Sequence, residues 1–264
     1  MKTVIAINGA AGRMGQRLVH MAHADKSLTL GAALESLNNP FQDRDIGELC
    51  GLGTLGVPVR SSLPLGLRVD VMIDFSMPEG TMNVLETCVS RRIPLVVATT
   101  GHTPEQRAQI EEAAHETALL MAPNMSLVVN VLFELVRRSA EMLNGKDFDA
   151  EIIEWHHRYK KDSPSGTALH FARIIQEAMG QTELRHGREG LVGERTPKEI
   201  GMHAIRGGDN VGEHTILFST LGESLALVHK GSSRDSYARG ALEAAKFLAD
   251  KPAGRYSMND VLGL

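Results

Sequence analysis

The chain has 264 residues, 42% apolar and 23% charged, enough for two domains of ordinary size with an ample core. A formal charge of −4 and a pI near 6.3 argue against nucleic acid or an anionic membrane as partner. The two cysteines, Cys50 and Cys88, form no framework and neither lies near another metal-ligand type at useful spacing, so a reduced, cytoplasmic setting without a metal site is expected. The apolar run Val4 to Ile7 ends at Asn8-Gly9, too soon for a signal peptide, and no run approaches a membrane span.

Thr3 to Ile7 reads as a strand buried on both faces of a parallel sheet. It feeds into Gly9-Ala-Ala-Gly12-Arg-Met-Gly15 and a helix carrying Leu18, Val19 and Ala22. A lone glycine triplet of the form G-x-x-G-x-x-G is weak evidence, but strand, glycine turn, helix and a second strand over Leu28 to Leu34 give it context. Glu35 ends that strand, twenty positions after Gly15, near the separation at which a carboxylate meets the ribose of a dinucleotide. Residues 37 to 58 read as loop. Strands follow at Val69 to Phe75, Pro94 to Ala98 and Ala118 to Met121, with helices between them. One helix opens on Thr103, Pro104 and Gln106, which fit N-cap, N1 and the capping-box position. The alternation predicts a Rossmann-like, doubly wound parallel sheet, whose ligands bind beyond the carboxyl ends of its strands. Asp74-Phe75-Ser76, Ala98-Thr99-Thr100 and Ala122-Pro123-Asn124-Met125 fall at such ends.

A long helix over Leu127 to Leu143 leads into a second, α+β domain with an open, largely antiparallel or mixed sheet. Its first strand, Glu151 to His156, places Ile153 and Trp155 on one face and Ile152, Glu154 and His156 on the other. A polar stretch closed by Pro164 follows, and Ser165-Gly166-Thr167 opens a helix that stops at Gly180. Ser165 can cap that helix, or its N–H groups can hold an anion. Gln181 to Lys198 reads as a charged surface excursion. Alternating runs at Ile200 to Ile205, His214 to Thr220 and Leu225 to His229 read as strands, with Leu221 to Ser224 as a hairpin turn. Arg206 to His214 is either a mobile loop that closes on an anion or a plain long hairpin. Asp235 to Ala249 and Tyr256 to Leu262 close back on the first domain. The expected division is residues 1–126 with 237–264 for a dinucleotide, and 127–236 for substrate and oligomerisation.

The run Glu151 to Leu169, EIIEWHHRYKKDSPSGTAL, resembles the signature of the 4-hydroxy-tetrahydrodipicolinate reductase (dihydrodipicolinate reductase) family, and Arg206 to His214 is similar to a second block of it. The resemblance implies reduction of a cyclic imine dicarboxylate by NADH or NADPH with loss of water, on the diaminopimelate route to lysine, in a homotetramer packed sheet to sheet. It implies His156 and Lys160 as the acid–base pair, with His157, Ser165, Gly166 and Thr167 holding the substrate carboxylates. Gly9, Ala10, Ala11, Gly12, Arg13, Met14 and Glu35 are implied as cofactor contacts, as are Ala98, Thr99, Thr100, Ala122, Pro123, Asn124 and Met125. One position departs from the pattern: many members carry an arginine after the acid of the second strand, and here Ser36 stands there. That favours NADH at least equally. A non-catalytic nucleotide-sensing module is the competing class; a metal hydrolase using the paired histidines lacks an H-E-x-x-H constellation.

Overall fold

The computed structural model describes residues 2–264, which form two compact units: residues up to Leu127 with Asp235–Leu264, and Val128–Arg234. The first unit opens with β1 (Thr3–Asn8), α1 (Arg13–Ala24), β2 (Leu28–Leu34), a short α2 (Ile46–Leu49), β3 (Val59–Arg60) and β4 (Val71–Asp74). It continues through α3 (Pro78–Arg91), β5 (Leu95–Val97), α4 (Pro104–Glu112) and β6 (Ala118–Met121). Helix α5 (Leu127–Leu143) enters the second unit, made of β7 (Asp149–His156), α6 (Gly166–Met179), β8 (Glu183–His186), β9 (Glu199–Arg206), β10 (Gly212–Thr220) and β11 (Glu223–Gly231). The chain returns through α7 (Asp235–Leu248), β12 (Gly254–Tyr256) and α8 (Met258–Leu262).

Among the described residues, the first unit holds a seven-stranded sheet ordered β12-β6-β5-β4-β1-β2-β3, parallel at every pairing. Alternation along β1 sends Ile5 and Ile7 to one face, with Leu18 and Val19 of α1 and Ala241 and Ala245 of α7. Ala6 turns to the other, with Val84, Leu85 and Cys88 of α3 and Ile110 of α4. Both faces are thus covered, which is why these strands read as unbroken apolar runs. Strand order reverses between β1 and β4, and every carboxyl end lies on one edge. The capping box at Thr103 and Gln106 is present. Residues 37–58 are more ordered than expected: Asp45 caps α2, accepting from the N–H groups of Gly47 and Glu48, and also from Leu55 and Val57. A four-residue helix shows no readable period.

The second unit holds a five-stranded mixed sheet ordered β11-β10-β7-β9-β8. Two expectations fail here. The segment after α6 is no mere excursion, since β8 pairs in parallel with β9; its sequence, ELRH, is largely exposed at the sheet edge and lacks an apolar alternation. Nor is Arg206 to His214 a hairpin, because β7 inserts between β9 and β10. The β10–β11 turn is shorter than expected, Leu221-Gly222, with Thr220 opposite Glu223. Helices α5 and α6 cover one sheet face through Leu132, Phe133, Val136, Phe171 and Ile175, over Ala150, Ile152, Ile200, Ile216 and Phe218. On the opposite face Trp155, Ile205 and Val228 remain 39, 47 and 51% exposed. Beside them Glu151 accepts from Arg188, Arg195 and His203.

Candidate active site

In the first unit a cavity of about 700 Å³ opens at the reversal of strand order, lined by Gly9, Gly12, Arg13, Met14 and Glu35 among others. The glycines are required by close approach. A Cβ at Gly9, where φ is +78°, would lie 2.6 Å from the Phe75 carbonyl oxygen, and one at Gly15 would lie 2.1 Å from that of Gly9. Gly12 is the N-cap of α1, contributes no side-chain cap, and the first helical turn carries no acid. That helix start suits an anionic phosphate. Glu35 Oε1 accepts from the Ala11 N–H at 2.9 Å, which ties the end of β2 to the glycine turn. Below the cavity Asp74 is fully buried and accepts from Asn8 Nδ2 at 2.8 Å, Ser76 Oγ at 2.5 Å and Thr81 Oγ1 at 2.6 Å.

Of the expected cofactor residues, Gly9, Gly12, Arg13, Met14 and Glu35 line the cavity. Ala10 is buried in the core, and Ala11 presents its backbone. Ala98-Thr99-Thr100 and Ala122 to Met125 follow β5 and β6 on the same carboxyl edge but outside the cavity lining. Thr99 Oγ1 accepts from the Ser76 N–H at 3.0 Å, and Asn124 Oδ1 from Ser126. The residues present therefore fit a dinucleotide, with a phosphate at α1 and a ribose near Glu35.

The second unit gathers the other expected residues. Strand β7 ends at His156, and the His157 N–H donates to Asn210 O at 2.8 Å, so the chain leaves the strand between the two histidines. Lys160 Nζ is 2.8 Å from Asp162 Oδ1 and its side chain is 21% exposed. Burial outweighs the other influences in pushing the His157 pKa down, with the charges of Arg234, His156, Lys160 and Arg206 acting the same way; its Nδ1 is buried with no partner among the described residues. A neutral imidazole amid cations is a receptive setting for a carboxylate. Ser165 is the N-cap of α6: its Oγ accepts from Ala168 N at 3.1 Å. Position 166 faces open space, with nothing within 4 Å of a built Cβ.

Two family models match the chain: "Dihydrodipicolinate reductase, N-terminus" over residues 3–125 and "Dihydrodipicolinate reductase, C-terminus" over residues 128–262. The chain belongs to the dihydrodipicolinate reductase family. Relatives named 4-hydroxy-tetrahydrodipicolinate reductase include that of Syntrophotalea carbinolica, 46% identical with 98% of each chain covered. That of Geobacter sulfurreducens is 43% identical, with 99% of each covered. A dipicolinate-bound dihydrodipicolinate reductase from Paenisporosarcina sp. TG-14 is similar in structure, with a TM-score of 0.78 at 25% identity over 97% of this chain and 98% of the other.

Glu154, His214 and Arg234 escaped the sequence reading as members of this site, and Arg206 was read in another role. Glu154 is 1% exposed and meets His156 Nδ1, Arg206 and the Ser165 N–H. Arg206 therefore does not stand ready for an anion in a mobile loop; it is committed to Glu154 and the Asp162 carbonyl. Its loop is knitted to the reductase motif by Gly207 N to His156 O and Arg158 N to Gly208 O. His214 lies beneath, its ring 5.3 Å from His156 and its Nε2 3.4 Å from Ser165 Oγ. Burial pushes its pKa down to about 3, so it stays neutral. Arg234 contributes positive charge at His157. The signal for Glu154 was its position on the buried face of β7, which a carboxylate occupies only with partners.

Proposed function

We propose that the protein reduces 4-hydroxy-tetrahydrodipicolinate to tetrahydrodipicolinate with loss of water, using a nicotinamide dinucleotide, on the diaminopimelate route to lysine. The observation that carries the reading is the second unit's cluster: His156 at the end of β7, with His157 and Lys160 on the loop that follows, set in a cationic field beside a helix start. When bound, the cofactor supplies the hydride that adds to the conjugated imine. His156 and Lys160 hold and move the proton that the reduced substrate takes up. The Lys160 ammonium is steadied by Asp162 until it gives or shares that proton. His157 receives one substrate carboxylate. Gly166 and Thr167, at the start of α6, receive the other.

NADH serves at least as well as NADPH in this reading. The charged side chains lining the cavity are Arg13, Glu35 and Glu79, one cation against two carboxylates, and Ser36 places no cation beside Glu35. Ala98 to Thr100 and Ala122 to Met125, on the same carboxyl edge, would contact the cofactor. The first unit is the dinucleotide domain, and the second binds substrate and assembles a homotetramer through its exposed sheet face. No described helix is long and apolar enough to cross a membrane, and a cytoplasmic setting suits the free cysteines Cys50 and Cys88. The test is loss of nicotinamide absorbance on adding synthase-generated substrate in the presence of a chelator. Oxidation of NADH under those conditions supports the reductase. Nucleotide binding without turnover returns the protein to the sensing-module class.

A further inference from the structure

Glu154 precedes His156 by two residues on β7, so their side chains share the inner face of the sheet. Its carboxylate is surrounded by donors. Oε2 meets His156 Nδ1 and accepts from Arg206 Nη1 at 2.8 Å; Oε1 accepts from Arg206 Nη2 at 2.7 Å and from the Ser165 N–H at 3.1 Å. Burial pushes this carboxyl up, but the hydrogen bonds from His156 and Arg206 outweigh it and hold it at about 2. An ionised carboxylate only accepts, so the hydrogen shared with His156 sits on Nδ1. Nε2, on the opposite edge of the ring, is then the lone pair of the neutral imidazole and the donor of the charged one. Gly212 packs against that nitrogen: a Cβ there would lie 2.9 Å from Nε2, so a larger residue would crowd it.

We propose that Glu154, gripped by Arg206, is a positioning residue that fixes the tautomer of His156 and makes Nε2 the nitrogen that gives its proton to the reduced substrate. The inference rests on His156 as an acid–base group and adds the atom used and what selects it. When the proton leaves Nε2, the N–H bonding pair stays behind as the ring lone pair. The remaining proton stays on Nδ1 against Glu154, so proton transfer ends in the tautomer that the carboxylate stabilises. Arg206 keeps the buried carboxylate from taking that proton itself. Through the Ser165 N–H the same carboxylate also holds the start of α6, tying the proton donor and the carboxylate-binding turn to one anchor.

Long-range ¹H–¹⁵N spectra of histidine-labelled protein at alkaline pH test this, with the His156 signals identified by their loss in His156→Gln. The wild type is expected to show neutral His156 with its proton on Nδ1. Glu154→Gln is expected to lose that preference and about 10²- to 10⁴-fold in kcat, with the KM for NADH unchanged. Glu154→Asp, which keeps the charge, is expected to restore part of both signals. A wild-type His156 protonated on Nε2 overturns the proposal without recourse to any variant. So does a folded Glu154→Gln protein with an unchanged tautomer, or with kcat within about threefold of wild type. Failure of the wild type to oxidise NADH with substrate would instead overturn the reductase reading, and the spectrum would still report the tautomer.

Discussion

Lys160 carries its charge on a loop rather than on a strand or helix, held by Asp162. Lys160 lies on a loop outside the core cluster of its unit, so the fold and cofactor affinity should survive Lys160→Ala. Turnover should fall by about 10²- to 10⁴-fold, the usual contribution of a positioned acid–base group; steady-state kinetics check it. His157 titrates low because burial and the surrounding cations disfavour its charged form. A bound dicarboxylate should offset those cations and raise its pKa, a shift read by NMR titration with dipicolinate. His214 gives a prediction for stability. Its folded pKa is depressed, from 6.5 to about 3, so the unfolded chain takes up a proton first as pH falls. Its contribution is whole above about pH 6.5 and is lost as pH drops towards about 3, at up to about 1.4 kcal/mol per pH unit. Thermal unfolding across that window should be less acid-sensitive in His214→Gln than in wild type.

At the scale of single elements, the two helix starts are the proposed anion-binding features. Helix α1 begins at a glycine cap with no acid in its first turn, whereas α6 begins at Ser165, whose Oγ caps Ala168 N and whose own N–H is already given to Glu154. The proposed carboxylate position at the start of α6 is Gly166 with Thr167. A Cβ at 166 would meet nothing within 4 Å, so Gly166→Val should fold yet fill the space a carboxylate needs. Dicarboxylate affinity should fall by at least tenfold, about 1.4 kcal/mol, as measured by calorimetry, with circular dichroism unchanged. Unaltered affinity would place the anion elsewhere. Thr167→Ala should be milder, since backbone donors remain.

For the whole molecule, two properties rest on surfaces that the chain presents. The cavity of the first unit is lined by two carboxylates and one cation, and the added phosphate of NADPH would carry nearly two negative charges into it. The ratio of kcat/KM for NADH over NADPH should be on the order of 1 to 30. Ser36→Arg should move it towards NADPH, and Arg13→Ala should hurt NADPH more. A wild-type preference for NADPH above about tenfold would mean that another basic residue reads the phosphate. The exposed apolar face of the five-stranded sheet is the proposed assembly surface. A charge there, as in Ile205→Glu, should lower the mass seen by light scattering without unfolding the protomer.

The strand–helix alternation of the first unit, the glycine turn before α1, the cap at Ser165 and the run of His156, His157 and Lys160 were legible in the sequence. Each depends on neighbours within a few positions, where the periods of helix and strand and the preferences of caps operate. The pairing order was not. Nothing local states that β7 rather than β10 lies beside β9, because pairing depends on which strands bury a common face against α5 and α6. For the same reason β8 was invisible, an edge strand that buries too little to show an alternation. The partners of Glu154 were hidden too: Arg206 lies 52 residues away, and His214, beneath His156, arrives on a third strand. A buried carboxylate in the sequence demands partners, but only the packed sheet decides which cation and which ring supply them.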